Sequence, residues 1–165
     1  MLIGVVSDTH DNLPMVEKAV RRLNEEKVEL VLHAGDYVAP FVIPYFKALN
    51  AKLIGVFGNN DGDHELLKKR FSETKNCEIR GRFAEVDVDG FKIALLHGDE
   101  TELLNALMNH GGFDAVVHGH AHATVTRQNG RTLIVNPGEV CGYLSGNATL
   151  ALLDTVKREA RIIKL

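Results

Sequence analysis

Five short polar clusters carry aspartate, asparagine or histidine at spacings that could hold metal ions. They are S-D-T-H with Asp8 and His10, H-A-G-D with Asp36, and G-N-N-D with Asn59 and nearby Asp61. L-H-G-D follows with His97 and Asp99, and H-G-H-A-H with His118, His120 and His122. Taken singly, each residue has an ordinary role, such as an aspartate accepting the free amides at a helix start. Taken together, they recur wherever an apolar run ends, and three histidines crowd one such exit. The donor set is hard oxygen plus imidazole without thiolate, which suits manganese, iron, cobalt, nickel or zinc rather than copper(I) or a structural zinc finger. So many candidate ligands exceed one tetrahedral ion but fit two ions sharing a carboxylate, and Asp36, the single carboxylate of its cluster, is the natural bridge. Two divalent ions set against Asp8, Asp36 and a bridging hydroxide leave a charge of about +1, which would draw an anionic phosphoryl group.

Such residues, scattered from position 8 to 122, can meet only if the elements before them end on one side. The apolar runs are short, rich in Val, Ile and Leu, and bounded by glycine or polar residues, the pattern of strands covered on both faces. LIGVV at 2–6 is the first, and the segment from Pro14 to Glu26 follows as a helix with Val16, Ala19, Val20 and Leu23 on one face. A second strand is expected in Val28–Asp36, then an apolar stretch over Pro40–Asn50 whose Pro44 should break or kink its helix early. A third strand lies within Ala51–Asp61, and His64–Phe71 reads as a short helix. The pattern then alternates over Arg82–Val88 and resumes over Phe91–His97, with Asp89-Gly90 as a hairpin turn. A helix over Glu100–His110, the strand before His118, a hairpin around Asn129-Gly130 and a final hairpin around Thr155–Glu159 complete the chain. Gly142–Asn147 reads as a flexible loop. This is an α/β (α+β) arrangement of two sheets with helices outside. At the carboxyl ends of parallel strands, consecutive loops converge on one crevice.

Composition narrows the function classes. The 165 residues, 45% hydrophobic, suit one domain spanning 1–165 that buries roughly 70% of its unfolded surface. Nineteen basic and twenty-two acidic residues give a net charge of −3 with the signs interspersed, so no basic stripe marks nucleic acid as a partner. No apolar run approaches the roughly 20 residues needed to span a bilayer, and MLIGVVSD has no cationic start and becomes polar too soon for a signal peptide. A cytoplasmic protein is expected. Cys77 and Cys141 form neither a C-x-x-C pair nor a disulfide framework.

In order along the chain, D-x-H at Asp8 and His10, G-D at Gly35 and Asp36, G-N-x-D from Gly58 to Asp61, H-G at His97 and Gly98, and G-H-x-H from Gly119 to His122 resemble the signature of the calcineurin-like metallophosphoesterases. The length and final hairpin are similar to the small single-domain phosphodiesterase branch. The resemblance implies a four-layer α-β-β-α sandwich with two mixed β-sheets flanked by helices. It implies that Asp8, His10, Asp36 and His122 hold one metal, and Asp36, Asn59, His97 and His120 the other. Manganese or nickel is favoured, with iron, cobalt or zinc as alternatives.

It also implies hydrolysis of small phosphodiesters by attack of metal-bound hydroxide. Many members carry a histidine where this chain has Asn60; an amide donates a hydrogen bond but delivers no proton as imidazolium does. His64 is the candidate substitute, and Asp61 the candidate to orient Asn60 or the histidine network. The resemblance extends to the small retromer subunit, an interaction scaffold, and to larger nucleases and monoesterases. Retention of all seven ligand positions favours an enzyme, and a homo-oligomer is compatible with so small a domain.

Overall fold

LIGVV contains no charge and no break, and it forms β1 (Leu2–Val6) at the middle of a sheet. The computed structural model describes residues 1–165, with eleven strands in two sheets and four α-helices. After β1 comes α1 (Leu13–Glu25), whose Val16, Ala19, Val20 and Leu23 are buried at the helical spacing read from the sequence. Two further parallel strands follow, β2 (Leu30–His33) and β3 (Lys52–Gly55). Between them Pro40–Val42 makes one 3₁₀ turn and α2 (Ile43–Phe46) a single α-turn. Pro44 does not break a helix there. It occupies the first turn of α2, where its missing amide has no intrahelical partner to lose. Next, α3 (His64–Ser72) begins at Asp63, whose carboxylate accepts from the Leu66 amide. It leads to β4 (Cys77–Ile79), a parallel edge strand too short and polar in its surroundings to show as an apolar run.

The chain then changes sheet. β5 (Phe83–Val88) and β6 (Phe91–Leu96) pair antiparallel across the Asp89-Gly90 turn. α4 (Thr101–His110) ends at Gly111 in the left-handed conformation favoured past a helix C-terminus. β7 (Ala115–Val117) runs parallel to β6, and β8 (Thr124–Asn129) turns back into β9 (Thr132–Pro137), itself parallel to β7. Finally β10 (Thr149–Asp154) returns to pair antiparallel with β1, and β11 (Glu159–Lys164) with β10. The larger sheet is thus ordered β11-β10-β1-β2-β3-β4 and the smaller β5-β6-β7-β9-β8.

The sheets pack face to face through one apolar layer, in which Ile3, Val5, Leu32 and Ile54 meet Ile93, Leu95, Val117 and Val135. α1, α2 and α3 cover the outer face of the larger sheet with Val16, Leu23, Phe46, Leu67 and Phe71. α4 lays Leu104, Leu107 and Met108 over Leu96, Val116 and Ile134 on the opposite side. The result is a four-layer α-β-β-α sandwich. Each buried Leu, Ile or Val contributes about 1.5–3 kcal/mol relative to exposure, so this layer makes a firm base for loops that are not relaxed themselves.

Candidate metal centre

β1, β2 and β3 of the larger sheet and β6, β7 and β9 of the smaller end on one rim, and the loop leaving each carries a polar side chain inward. Backbone hydrogen bonds lace these loops together. Asp8 donates to Gly35 O at 3.0 Å, His10 to Asp36 O at 3.1 Å, and Cys141 to Asp8 O at 3.0 Å. Gly119 donates to His97 O at 2.8 Å, and the His120 amide to Asp8 Oδ2 at 3.1 Å. The two sheets therefore meet at the rim through both backbone and side chain.

Seven side chains converge there, and the ligand pattern expected from the sequence divides their donor atoms into two sets of four that share Asp36. Asp8 Oδ1 lies 3.7 Å from His10 Nε2 and 3.3 Å from His122 Nε2, and His10 Nε2 lies 3.4 Å from Asp36 Oδ2. In the second set His97 Nε2 is 3.3 Å from Asp36 Oδ2 and 3.0 Å from Asn59 Oδ1, which is also 3.0 Å from His120 Nδ1. Ligands about 2.1 Å from one ion stand roughly 3.0–3.4 Å apart in octahedral or tetrahedral geometry, which these separations approach. Asp36 Oδ2 is the one atom in both sets. Asp8, Asp36 and His97 are buried to 1% exposure or less, and their ligand atoms lie within 4.8 Å of one another.

The donor set fits cations on three further grounds. Asp8 Oδ1 and His10 Nε2 are buried and have no hydrogen-bond partner, a condition costing about 1–3 kcal/mol each unless another group compensates them. His97 Nδ1 lies 2.7 Å from the Ala34 carbonyl, which can only accept, so Nδ1 carries a proton and Nε2 is left to face Asp36 and Asn59. His122 Nδ1 likewise lies 2.7 Å from Glu139 Oε2. Burial would raise the Glu139 carboxyl, but hydrogen bonds from Cys141, Ser145 and His122 hold it down to about 2. Glu139 is therefore an acceptor, and it turns the His122 Nε2 lone pair toward Asp8. Burial similarly opposes ionisation of Asp36, and the backbone and side-chain amides of Asn60 donate to its two oxygens in compensation.

The loops hold these side chains in uncommon backbone conformations. Asp8, His10, Asp36, His120 and His122, five of the seven, have positive φ, between 41° and 65°. Aspartate and histidine enter this region more readily than most residues, and such departures cluster at functional sites. Gly119 approaches so closely that a methyl group there would lie 1.9 Å from Ser7 Oγ and 2.7 Å from Asp8 Oδ2.

The other candidates are placed differently. Asn60 lies beside the donors, its backbone amide 2.9 Å from Asp36 Oδ1 and its side-chain amide donating to Asp36 Oδ2 at 2.8 Å. Asp61 accepts from the backbone amides of Asp36, Val38 and Gly58, at 3.2, 2.8 and 2.7 Å, rather than from the Asn60 side chain. It ties the second and third loops together. His64 stacks on Phe57 with ring centroids 4.0 Å apart and shares none of the hydrogen bonds linking the donors. Asp99 pairs with Arg82 at 2.6 Å, and His118 is buried beside Gly119 O and Asn136. His33 stacks on Tyr37 in the core, where burial lowers its pKa to about 3.

Glu139 and Cys141 escape the sequence reading, although Glu139 follows the P-G pair that closes the apolar run TLIV, the same strand-exit pattern as the other clusters. Glu139 also accepts from the amides of Leu144 and Ser145 and from Ser145 Oγ. The segment Gly142–Asn147, expected to be flexible, is tied to a carboxylate with no solvent exposure. Cys141 donates its thiol to Glu139 at 3.0 Å, burial pushes its pKa up to about 12, and its Sγ lies within 4.8 Å of ligand atoms of His10 and His122. Beside the donors opens a cavity of about 370 Å³ lined by His10, Val38, Asn60, His122, Cys141, Tyr143 and Leu144.

The chain is 42% identical to Phosphodiesterase MJ0936 of Methanocaldococcus jannaschii over 165 residues, which cover 100% of this chain and 99% of that protein. It superposes on a solved structure described as a novel archaeal phosphodiesterase with a TM-score of 0.95, 42% identity and full coverage of both chains. Vps29 of Entamoeba histolytica, solved with zinc, shares the fold at a TM-score of 0.72 and 21% identity, covering 100% of this chain and 98% of that one. Residues 1–158 match the calcineurin-like phosphoesterase superfamily domain, and with that match and the full-length archaeal relative the chain belongs to the calcineurin-like phosphoesterase superfamily.

Proposed function

We propose that the protein is a phosphodiesterase, a single domain over residues 1–165 that hydrolyses small phosphodiesters with two divalent transition-metal ions. The observation that carries this reading is the place of Asp36 Oδ2, 3.4 Å from His10 Nε2 and 3.3 Å from His97 Nε2. Asp8, His10, Asp36 and His122 would hold one ion, and Asp36, Asn59, His97 and His120 the other. Manganese or nickel is the proposed metal, since oxygen and imidazole make up the proposed ligand set. When bound, such ions lower the pKa of a coordinated water and set positive charge against phosphoryl oxygens. The Methanocaldococcus jannaschii relative and the solved archaeal structure, each 42% identical to this chain, are described as phosphodiesterases.

The chain's own groups orient and hold. Asn60 lines the cavity, and its amide can donate to a phosphoryl oxygen, but it has no proton to give a leaving group. Asp61 fixes the backbone on either side of Asp36, so the bridging carboxylate does not depend on solvent for its position. His64, against Phe57, would have to leave its stack to reach a leaving group. Substrates whose alcohol departs readily are therefore favoured. No helix is long and apolar enough to cross a membrane. The cytoplasm is the proposed site of action, where two free buried cysteines stay reduced.

The test couples metal content to turnover. Purified protein is assayed on an activated aryl phosphodiester before chelation, after it, and after manganese or nickel is restored, alongside Asp36→Asn. About two metals per chain, with activity that follows their removal and return, is expected. Asp36→Asn should lose both ions and nearly all turnover. Full metal occupancy without turnover on any diester would overturn the reading, and wild-type metal content in Asp36→Asn would remove the bridge.

A further inference from the structure

The cavity beside the donor atoms is chemically lopsided. One side is polar, formed by His10, His122 and Asn60; the other is Val38, Cys141, Tyr143 and Leu144. No lysine, arginine or carboxylate lines it. A substrate with several negative charges, such as a nucleoside triphosphate, would find no side-chain cation there. Tyr143 is 63% exposed and Leu144 75%, so two large apolar side chains stand in water at the mouth of a polar site. Exposed apolar groups beside a rim of polar residues are characteristic of ligand-binding grooves.

Both walls are held in place. Tyr143 and Leu144 hang from Glu139, which accepts from the Leu144 and Ser145 amides while gripping His122. Val38, opposite, has φ of 82°, a conformation a β-branched residue rarely takes. Its amide donates to Asp61 at 2.8 Å and its carbonyl accepts from Gly62 at 3.1 Å, which keeps the strained residue at the cavity wall. Backbone strain retained at a site points to a function for the side chain it positions. The volume, about 370 Å³, falls in the range of small-ligand pockets, roughly 300–1,000 Å³.

We infer that Val38, Tyr143 and Leu144 form a subsite for an aromatic or similarly apolar ester arm, so that the enzyme selects singly charged diesters carrying one such arm. This rests on the phosphodiesterase reading. A diester suits the cleft twice over. It brings one negative charge to the donor cluster, and it has a second uncharged substituent to bury. A monoester brings more charge and has only one arm.

The experiment measures binding separately from turnover. Calorimetry on the metal-loaded full chain compares diphenyl phosphate with dimethyl phosphate, in the wild type, in Tyr143→Phe, and in the double variant Y143S/L144S. The wild type should prefer diphenyl phosphate by about 10- to 100-fold, as expected for burying an aryl ring. Tyr143→Phe should keep most of that preference, and the double variant should lose at least about tenfold of it. Equal binding of the two probes by the wild type, or an undiminished preference in the double variant, would overturn the subsite. Bis(4-nitrophenyl) phosphate is assayed in parallel. Absence of turnover together with the predicted binding preference would defeat the phosphodiesterase reading while leaving the cleft assignment standing.

Discussion

Replacing Gly58 by alanine should disable the centre by moving one carboxylate. A methyl group at Gly58 would lie 2.1 Å from Asp36 Oδ1, 2.6 Å from the Asp36 amide nitrogen and 2.8 Å from its Cγ. Real Cβ contacts essentially never fall under 3.0 Å, so the methyl and Oδ1 must part by about 0.9 Å. Neither partner can yield freely. The Asp36 nitrogen is bonded to Asp61, Oδ1 accepts from the Asn60 amide, and Gly58 itself donates to Asp61 at 2.7 Å. The carboxylate must therefore swing, taking with it the Oδ2 that both donor sets share. A displacement of about 1 Å at reacting groups costs on the order of 100-fold in rate. The assay is kcat/KM on an activated aryl diester across a manganese titration, with Gly90→Ala as a control. At Gly90, in the β5-β6 turn at the far end of β6 from His97, the added methyl meets nothing within 4 Å, and the strain of a φ of 84° bears on folding rather than on the centre. The control should stay within about threefold of wild type, whereas Gly58→Ala should fall at least about 100-fold and require more metal. Gly58→Ala with wild-type activity and metal affinity would refute the claim that the position of Asp36 governs the centre.

Glu139→Gln should weaken metal binding by about 10- to 100-fold, since an amide cannot accept from His122, Cys141 and Ser145 together. A metal titration followed by calorimetry checks this, and unchanged affinity would show that Glu139 only anchors the loop. Asp114, buried at 7% exposure, accepts from the Lys92 amide and from the guanidinium groups of Arg158 and Arg131. The Lys92 bond, helped by the two arginines, holds its carboxyl below the usual range. The sign follows: its stabilisation is full above the unfolded carboxylate pKa of about 3.9 and lost as pH falls through the lower folded value. Urea unfolding should find Asp114→Asn less stable by about 2 kcal/mol near neutrality, with the gap narrowing below about pH 4. A gap independent of pH would assign the loss to packing.

The parts of the fold that show in the sequence are those governed by local periodicity. α1 shows because Val16, Ala19, Val20 and Leu23 recur at helical spacing, and the β5-β6 hairpin because Asp89-Gly90 interrupts an alternating pattern. β4 does not show, because Cys77-Glu78-Ile79 is three residues long and is strand only through its pairing with β3. Pro44 has two meanings, helix breaker or helix starter, and only the position of Val42 and Ile43 decides between them. At the centre, residue types and strand exits indicate which side chains meet. They do not indicate that Asp36 Oδ2 stands 3.4 Å from His10 Nε2 and 3.3 Å from His97 Nε2, nor that Asp61 spends its acceptors on backbone amides. Those depend on how loops distant in sequence are laced together. The 142–147 segment, with two glycines, a serine and an asparagine, reads as loose for the same reason: the group that fixes it, Glu139, is recognisable only in three dimensions.

β1 delivers Asp8 and His10, yet it lies between β2 and β10, and Leu2 is paired with Asp154. As the chain leaves the ribosome, one side of the strand that starts the centre has no partner until residues near 150 emerge. Its row of unpaired backbone N–H and C=O groups stays open through most of synthesis, a state prone to wrong pairing with other chains. Closing that gap is a contact of very long sequence separation, which slows folding relative to proteins of local topology. The order of translation and the order of the sheet are thus in opposition. A nascent chain released before β10 would expose β1 and carry all seven candidate metal ligands without the strand that completes their support.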